Sequence, residues 1–265
     1  MSNRLYIFTI VLDGMPFLPT LLSNFNQLPS HIDWHWSIAE GAAKNILDTR
    51  WCQPNPPRLS NDGTSQFLSG LWGHPRISVH QEPSWNGKVA MCNACLGDFK
   101  EPGVLLECDA DELWLPWQLV GLLDIFQHRP HINCARFFCR YFVGANIVIT
   151  SEESYGNRPT EWLRAWRFEP GMRFSTHEPP AIAGMKESCA LRNVTRAVGL
   201  TFEHYAYAFE KTVAMKEKFY GYRDAVKHWR RLQTNKVWPV ENLQDFLPWV
   251  DPGVRADQLW KPNST

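Results

Sequence analysis

Residues 103–114, Gly-Val-Leu-Leu-Glu-Cys-Asp-Ala-Asp-Glu-Leu-Trp, constrain this chain more than any other stretch. Val104, Leu105 and Leu106 form an apolar run without alternation, the pattern of a strand buried on both faces. The run ends in Glu107, Asp109, Asp111 and Glu112. A buried strand that meets acid does so at its carboxyl end, and in open α/β sheets that edge is where ligands bind. In an extended segment Asp109 and Asp111 point the same way, about 6–7 Å apart. Like charges so close repel unless a cation joins them, and hard oxygen donors favour Mg²⁺ or Mn²⁺ together with phosphate oxygens. An isolated Asp-x-Asp is more often a solvated turn or a helix start, where acid suits the helix dipole. The preceding strand lifts this one above that reading.

The rest of the first half repeats strand and helix. Residues 5–12 read as the first strand, followed by the turn Asp13-Gly14-Met15-Pro16 and a helix with Phe17, Leu18, Leu21, Leu22, Phe25 and Leu28 as its apolar stripe. Residues 35–39 form a short second strand ending in Glu40-Gly41. A proline-rich loop over 52–60 leads to a helix opening at Asp62-Gly63-Thr64, with Asp62 or Thr64 as its cap. Residues 77–80 are a third strand and 85–96 a third helix, which carries Lys88 and Asn93. Four alternations predict an α/β fold, a mostly parallel sheet with crossover helices.

Beyond the acidic stretch the texture changes. Residues 117–126 read as helix, 135–141 and 145–150 as strands. Residues 162–168 place Trp162, Arg164, Trp166 and Phe168 on one side of a strand whose hairpin partner is 172–176. Residues 181–198 read as loop, and two helices occupy 208–219 and 222–232. We expect a catalytic domain over 1–235 and a tail over 236–265 that wraps the surface.

Lys+Arg and Asp+Glu are both 27, so no broad cationic surface argues for nucleic acid. No segment reaches ~20 apolar residues, so no transmembrane segment is expected. The first residues lack the apolar core and cleavage site of a signal peptide. Seven scattered cysteines read as reduced thiols of a cytoplasmic protein, and Cys92-x-x-Cys95 as one turn of a buried helix. Some of the 13 tryptophans could stack on sugar rings.

Asp13, Glu40, Asp109 and Asp111 thus fall at strand ends along one sheet edge. Leu12-Asp13-Gly14-Met15-Pro16-Phe17-Leu18, Ile38-Ala39-Glu40-Gly41-Ala42 and the stretch 105–114 together resemble the landmarks of GT-A-fold glycosyltransferases of the family 2-like group. The resemblance covers residues 5–115, and more loosely the region of His204. It implies a GT-A (Rossmann-like) sheet and a nucleotide-diphosphate sugar as donor. It implies an acceptor hydroxyl on a glycan or other glycoconjugate, and a Mn²⁺ or Mg²⁺ cofactor. Carried onto this sequence, Asp13, Glu40, Asp62, Lys88 and Asn93 would hold the nucleotide. Asp109 and Asp111 would hold the metal and the diphosphate, and His204 would complete the metal shell. The chain departs from the pattern in lacking a clear Glu-Asp pair for the catalytic base. His177-Glu178 is the nearest substitute, with Glu178 as base and His177 beside it, and burial among aromatics would raise the carboxyl toward neutrality. Glu161 is a rival carboxylate. A sugar-phosphate nucleotidyltransferase would use similar parts but needs a glycine-rich basic loop after the first strand, which 13–16 poorly supplies. A non-catalytic carbohydrate-binding protein would not need Asp109 and Asp111.

Overall fold

The structure, a computed structural model, describes residues 3–44 and 56–259. The proline-rich loop expected over 52–60 lies partly outside these residues, as does the end of the tail.

The architecture is mixed α/β, with a mostly parallel central sheet flanked by helices and small antiparallel pieces. Strands β1 (Arg4–Val11), β2 (Asp33–Ala43), β3 (Ile77–Trp85) and β4 (Gly103–Glu107) are mutually parallel, in spatial order β3-β2-β1-β4. The crossover helices are α1 (Phe17–Asn26), α2 (Thr64–Ser69) and α3 (Lys88–Leu96). β2 and β3 run several residues longer than their apolar cores suggest, because pairing continues through Glu40 and Gln81 to Ala43 and Trp85. Strand pleating sorts the core into two layers. Leu5, Ile7, Val104 and Leu106 face α1 and helix α4 (Pro116–His128). Tyr6, Phe8 and Leu105 face α3 and the segment around Phe174.

Past the acidic turn come β5 (Glu112–Leu113), α4, β6 (Cys134–Arg136), β7 (Phe138–Tyr141), β8 (Ile147–Ile149), β9 (Leu163–Phe168), β10 (Phe174–His177), β11 (Pro180–Ile182) and β12 (Cys189–Ala190). Then follow α5 (Arg192–Ala197), β13 (Thr201–His204), α6 (Glu210–Tyr220), α7 (Ala225–Gln233) and β14 (Ala256–Gln258).

Three expectations need correction here. β9 does not form a hairpin with the following strand; it enters the central sheet antiparallel between β4 and β6, and β10 pairs with β11 instead. Its side chains are buried, which suits a central strand better than an edge. Residues 181–198 are not a single loop, since they hold the end of β11, then β12 and α5. Cys134 and Cys189 are joined by a disulfide between β6 and β12, so the cysteines are not all reduced. Cys92, Cys95, Cys108 and Cys139 are free and buried.

The tail returns to the body through β14, which pairs with β8, and through a bridge from Val240 to Ala256. Among the described residues, no helix is long and apolar enough to cross a membrane.

Candidate active site

The carboxyl ends of β1, β2 and β4 meet at one edge, and the acidic stretch leaves β4 there. Thr9 and Trp36 fix the exit: the Thr9 hydroxyl donates to the Cys108 carbonyl at 2.7 Å, and the Trp36 indole donates to the Thr9 hydroxyl at 2.9 Å. After Cys108 the chain turns, with the Glu112 amide donating to the Asp109 carbonyl at 3.0 Å. Asp109 and Asp111 therefore sit on a turn rather than on an extended segment, and they face different partners. Ala110, between them, packs under the β1–α1 turn. A Cβ at Gly14 would lie 3.1 Å from the Ala110 Cβ and 2.5 Å from Val11, so the approach needs glycine.

Asp111 is met by His204. β13 pairs antiparallel with β5, placing His204 opposite Glu112, and the Tyr205 amide donates to the Asp111 carbonyl at 2.8 Å. That register brings His204 Nε2 to 3.5 Å from Asp111 Oδ1. The other oxygen of Asp111 lies 3.8 Å from the Lys216 ammonium, supplied by α6. The cations outweigh the cost of burial and hold the Asp111 carboxyl well below the ordinary range. Burial lowers the Lys216 ammonium, against the pull of Asp111 and Asp109.

Asp109 is met by Arg164. From the second position of β9, Arg164 donates to Asp109 at 2.8 Å and twice to Glu112, at 3.0 and 2.8 Å, and its Nη1 lies 3.2 Å from Glu107. Glu107 and Glu112 are almost wholly buried. Burial pushes both carboxyls up, but Glu107 also faces His177 at 3.2 Å, and with Arg164 this brings it below its ordinary value. Glu112 shares its one cation with Asp109, stands beside Asp111, and stays well above the ordinary range. Neither oxygen of Glu107 has an aligned hydrogen bond, so its ion pairs are close but poorly directed.

His177 ends β10, buried, with Glu107 on one ring nitrogen and Glu178 on the other at 3.4 Å. Burial alone would lower the imidazole; the two carboxylates raise it to about 9. Glu178 is held by Lys88 as well as His177. Burial opposes ionisation of Glu178, yet His177 and Lys88 bring its carboxyl down to about 2. The expected rise toward neutrality is thus reversed, because the strand end that buries Glu178 also supplies two cations. Nor do Trp162 and Trp166 flank an open subsite. Trp162 has φ +58 and lies outside the β9 alternation, 4.9 Å from the His204 ring, while Trp166 is buried against Phe174. Glu161 pairs with Arg158.

These shifts fix the sign of a pH effect. The folded state holds the His177 proton to about 9, above the unfolded value of about 6.5. The stabilisation is complete below about pH 6.5 and disappears as pH rises through about 9. Urea titrations at pH 6.5 and 9 should show wild type losing stability over that interval, and His177→Gln losing much less. Equal losses would contradict the assignment.

The nucleotide residues expected from the sequence have local partners. Asp13 receives both Arg58 Nη atoms, at 3.1 and 2.5 Å, and the Asn61 amide at 3.0 Å. Glu40, fully buried, accepts from the Ser60 amide at 2.9 Å, the Ser65 hydroxyl and the Gln81 amide at 2.7 Å. Asp62 accepts from the Met15 and Thr64 amides, at 3.0 and 3.1 Å, and from Lys211 at 3.0 Å. All three carboxylates tie residues 58–65 to the sheet edge. The α2 N-cap is Gly63, without a side-chain cap, while Asp62 serves the Thr64 amide from just before it. Asn93 exchanges two hydrogen bonds with the Phe174 backbone and fastens α3 to β10. Arg58, Glu107, Glu112, Arg164 and Lys216 were not singled out as site residues. An arginine within the apolar alternation of β9 was the legible signal for the most connected of them.

Asp111 and His204 offer one hard oxygen and one imidazole nitrogen, a donor pair that suits Mn²⁺ and tolerates Mg²⁺ less well. Asp109 does not join them in this arrangement, because its Oδ2 serves Arg164. Among the described residues, metal-type ligand atoms gather in threes only at Cys134, Glu187 and Cys189, where the two sulfurs are bonded to each other. Two surface hollows, of about 320 and 180 Å³, share Arg167 and Glu169, and the smaller reaches Gly103 at the opposite end of β4 from the acidic turn. Neither is lined by the acidic turn or by the side chains that pair with it.

No family model matches the chain, and no curated protein matches it. Among solved structures it is similar to TarS 1-349 from S. aureus, at 12% identity with TM-score 0.42, covering 62% of this chain and 47% of that one. The same protein in complex with UDP-GlcNAc gives 12% identity and TM-score 0.44, covering 62% and 45%. The mannosyltransferase PcManGT from Pyrobaculum calidifontis, in complex with GDP-Man and Mn²⁺, gives 18% identity and TM-score 0.39, covering 52% and 36%. The chain spans less than half the length of each of these structures.

Proposed function

We propose that the chain is a metal-dependent glycosyltransferase that moves a sugar from a nucleotide-diphosphate sugar to an acceptor hydroxyl. The observation that carries this reading is the pairing of Asp111 with His204, 3.5 Å apart, at the carboxyl edge of a parallel sheet with Asp109 two residues away. Mn²⁺ or Mg²⁺ held by Asp111 and His204, with Asp109 beside them, would neutralise the charge of the departing diphosphate as a Lewis acid.

The protein's own groups supply the rest. Arg164 fixes the turn by holding Asp109 and Glu112. Asp13, Glu40 and Asp62 act on the nucleotide through the loop 58–65 they hold, and Arg58 adds a cation to that rim. Asn93 and Lys88 position β10 and Glu178. Glu178, ionised at neutral pH, accepts the proton of the acceptor hydroxyl, and the His177 imidazolium keeps it oriented. A carboxylate held this low is a weak base, which suits a transition state where the sugar–phosphate bond is largely broken before the proton moves. Glu178→Gln should lower kcat by roughly 10²–10⁴-fold with donor affinity preserved. Near-normal kcat, or a loss confined to donor binding, would remove Glu178 from that role.

The reading is tested by incubating the protein with UDP- and GDP-sugars and Mn²⁺. Slow release of nucleoside diphosphate supports a transferase. Pyrophosphate-dependent chemistry would point to a nucleotidyltransferase, and sugar binding without turnover to a carbohydrate-binding protein.

A further inference from the structure

Lys216 is a cation at this edge that the proposed reaction does not yet use. It reaches the acidic turn from α6, its ammonium 3.8 Å from Asp111 Oδ2 and 4.8 Å from the centre of the Tyr207 ring, with its side chain only 14% exposed. Four contacts hold α6 and the chain leading into it over the site. Phe17 packs against Phe209 and Tyr205, Lys211 pairs with Asp62, and Lys88 lies over the Phe219 ring. Lys216 is therefore placed by a docked helix rather than by a free chain end.

The charges around it follow a simple pattern. Asp109 has Arg164 at 2.8 Å, and Asp111 has Lys216, so each aspartate already has a monovalent cation. A divalent ion taken by Asp111 and His204 would place two further positive charges against that ammonium, where little water screens them. The excess is removed when an anion of two or three charges arrives between ion and lysine. A nucleoside diphosphate carries that charge, and its phosphate oxygens can accept from an ammonium while they bind an ion.

Building on the proposed transferase reading, we propose that Lys216 makes divalent-ion binding at Asp111 and His204 conditional on the donor's diphosphate. Without nucleotide, Lys216 opposes the ion by occupying the second oxygen of Asp111. With nucleotide, it turns from Asp111 to the phosphate oxygens and holds the diphosphate against the ion. The ion and the nucleotide then bind with positive coupling, and each tightens the other by the same factor. The ammonium restrains premature metal binding and also stabilises the leaving group.

The test measures Mn²⁺ binding by electron paramagnetic resonance, with and without UDP or GDP, in wild type, Lys216→Met and Lys216→Arg. Wild type should bind Mn²⁺ weakly alone and more tightly with the diphosphate. Lys216→Met should bind Mn²⁺ alone more tightly, bind UDP or GDP less tightly at saturating Mn²⁺, and lose about tenfold of the coupling, within the span usual for linked sites. Lys216→Arg, which keeps the charge, should retain most of the coupling. A lysine that merely braces the fold would move both affinities in one direction or neither, and either result overturns the inference. Coupled binding in wild type that survives Lys216→Met unchanged overturns it alone. A wild type that binds neither Mn²⁺ nor UDP or GDP overturns the transferase reading and this inference together.

Discussion

Arg164→Met should be the most destabilising single change at this site. Arg164 is buried and lies within 3.2 Å of Glu107, Asp109 and Glu112. Methionine fills similar space but leaves Glu107 with His177 as its remaining cation and takes the donor from Glu112. Breaking a buried ion pair by removing one partner costs about 3–5 kcal/mol. At about 2–4 °C per kcal/mol for a chain of this size, Tm should fall by roughly 6–20 °C at neutral pH. The sign with pH follows from the carboxylates. Arg164 helps hold Glu107 below its ordinary value, so without the arginine that folded value rises, protonation relieves the cost, and the gap between variant and wild type should narrow from pH 7 to pH 5. A thermal melt that leaves Tm within about 2 °C of wild type at pH 7 would show that the arginine is not the counter-charge of the buried acids.

The second large effect is on activity. Asp111→Asn keeps the size of the side chain and its place beside His204 and Lys216, but removes the negative charge. If Asp111 anchors the ion that stabilises the leaving diphosphate, several kcal/mol of transition-state stabilisation go with it. Each 1.36 kcal/mol is tenfold, so kcat/KM should fall by about 10²–10⁴-fold. The fold should survive, because the amide keeps an oxygen toward Lys216 and burial already eases loss of the Lys216 proton. Turnover within about threefold of wild type, or a loss matched by unfolding, would separate Asp111 from the chemistry.

Some of this was legible in the residues and some was not. The parallel order of β1 to β4 followed from apolar runs separated by helical periodicity, since those runs can only be buried on both faces. The carboxyl-edge position of Asp109 and Asp111 followed from the abrupt end of one such run. Their different orientations did not. They depend on a turn closed by the Glu112 amide and on two partners, Arg164 and His204, that lie 55 and 93 residues further on. Burial of Glu178 was anticipated, but not the two cations that come with it, and they reverse the direction of its shift. The place of β9 was missed because an antiparallel strand between β4 and β6 is set by long-range pairing, and its Trp-x-Arg-x-Trp alternation read equally well as a hairpin. Asp13 and Glu40 follow β1 and lie within β2 at the carboxyl edge, and Asp62 lies just before α2. The loop over 58–65 is held partly by Arg58 and Ser65 and partly by the backbone amides of Ser60, Asn61 and Thr64, and those amides carry no side-chain signature.

The central claim is that Asp111 and His204 hold a divalent ion together with a nucleoside diphosphate. Pulsed electron paramagnetic resonance of Mn²⁺ bound with UDP or GDP tests it most directly. The account predicts hyperfine coupling to one ligand nitrogen and to phosphorus, with the nitrogen coupling lost in His204→Gln while the phosphorus coupling stays. Bound Mn²⁺ that shows no nitrogen coupling in wild type, or the same nitrogen coupling in His204→Gln, would contradict it.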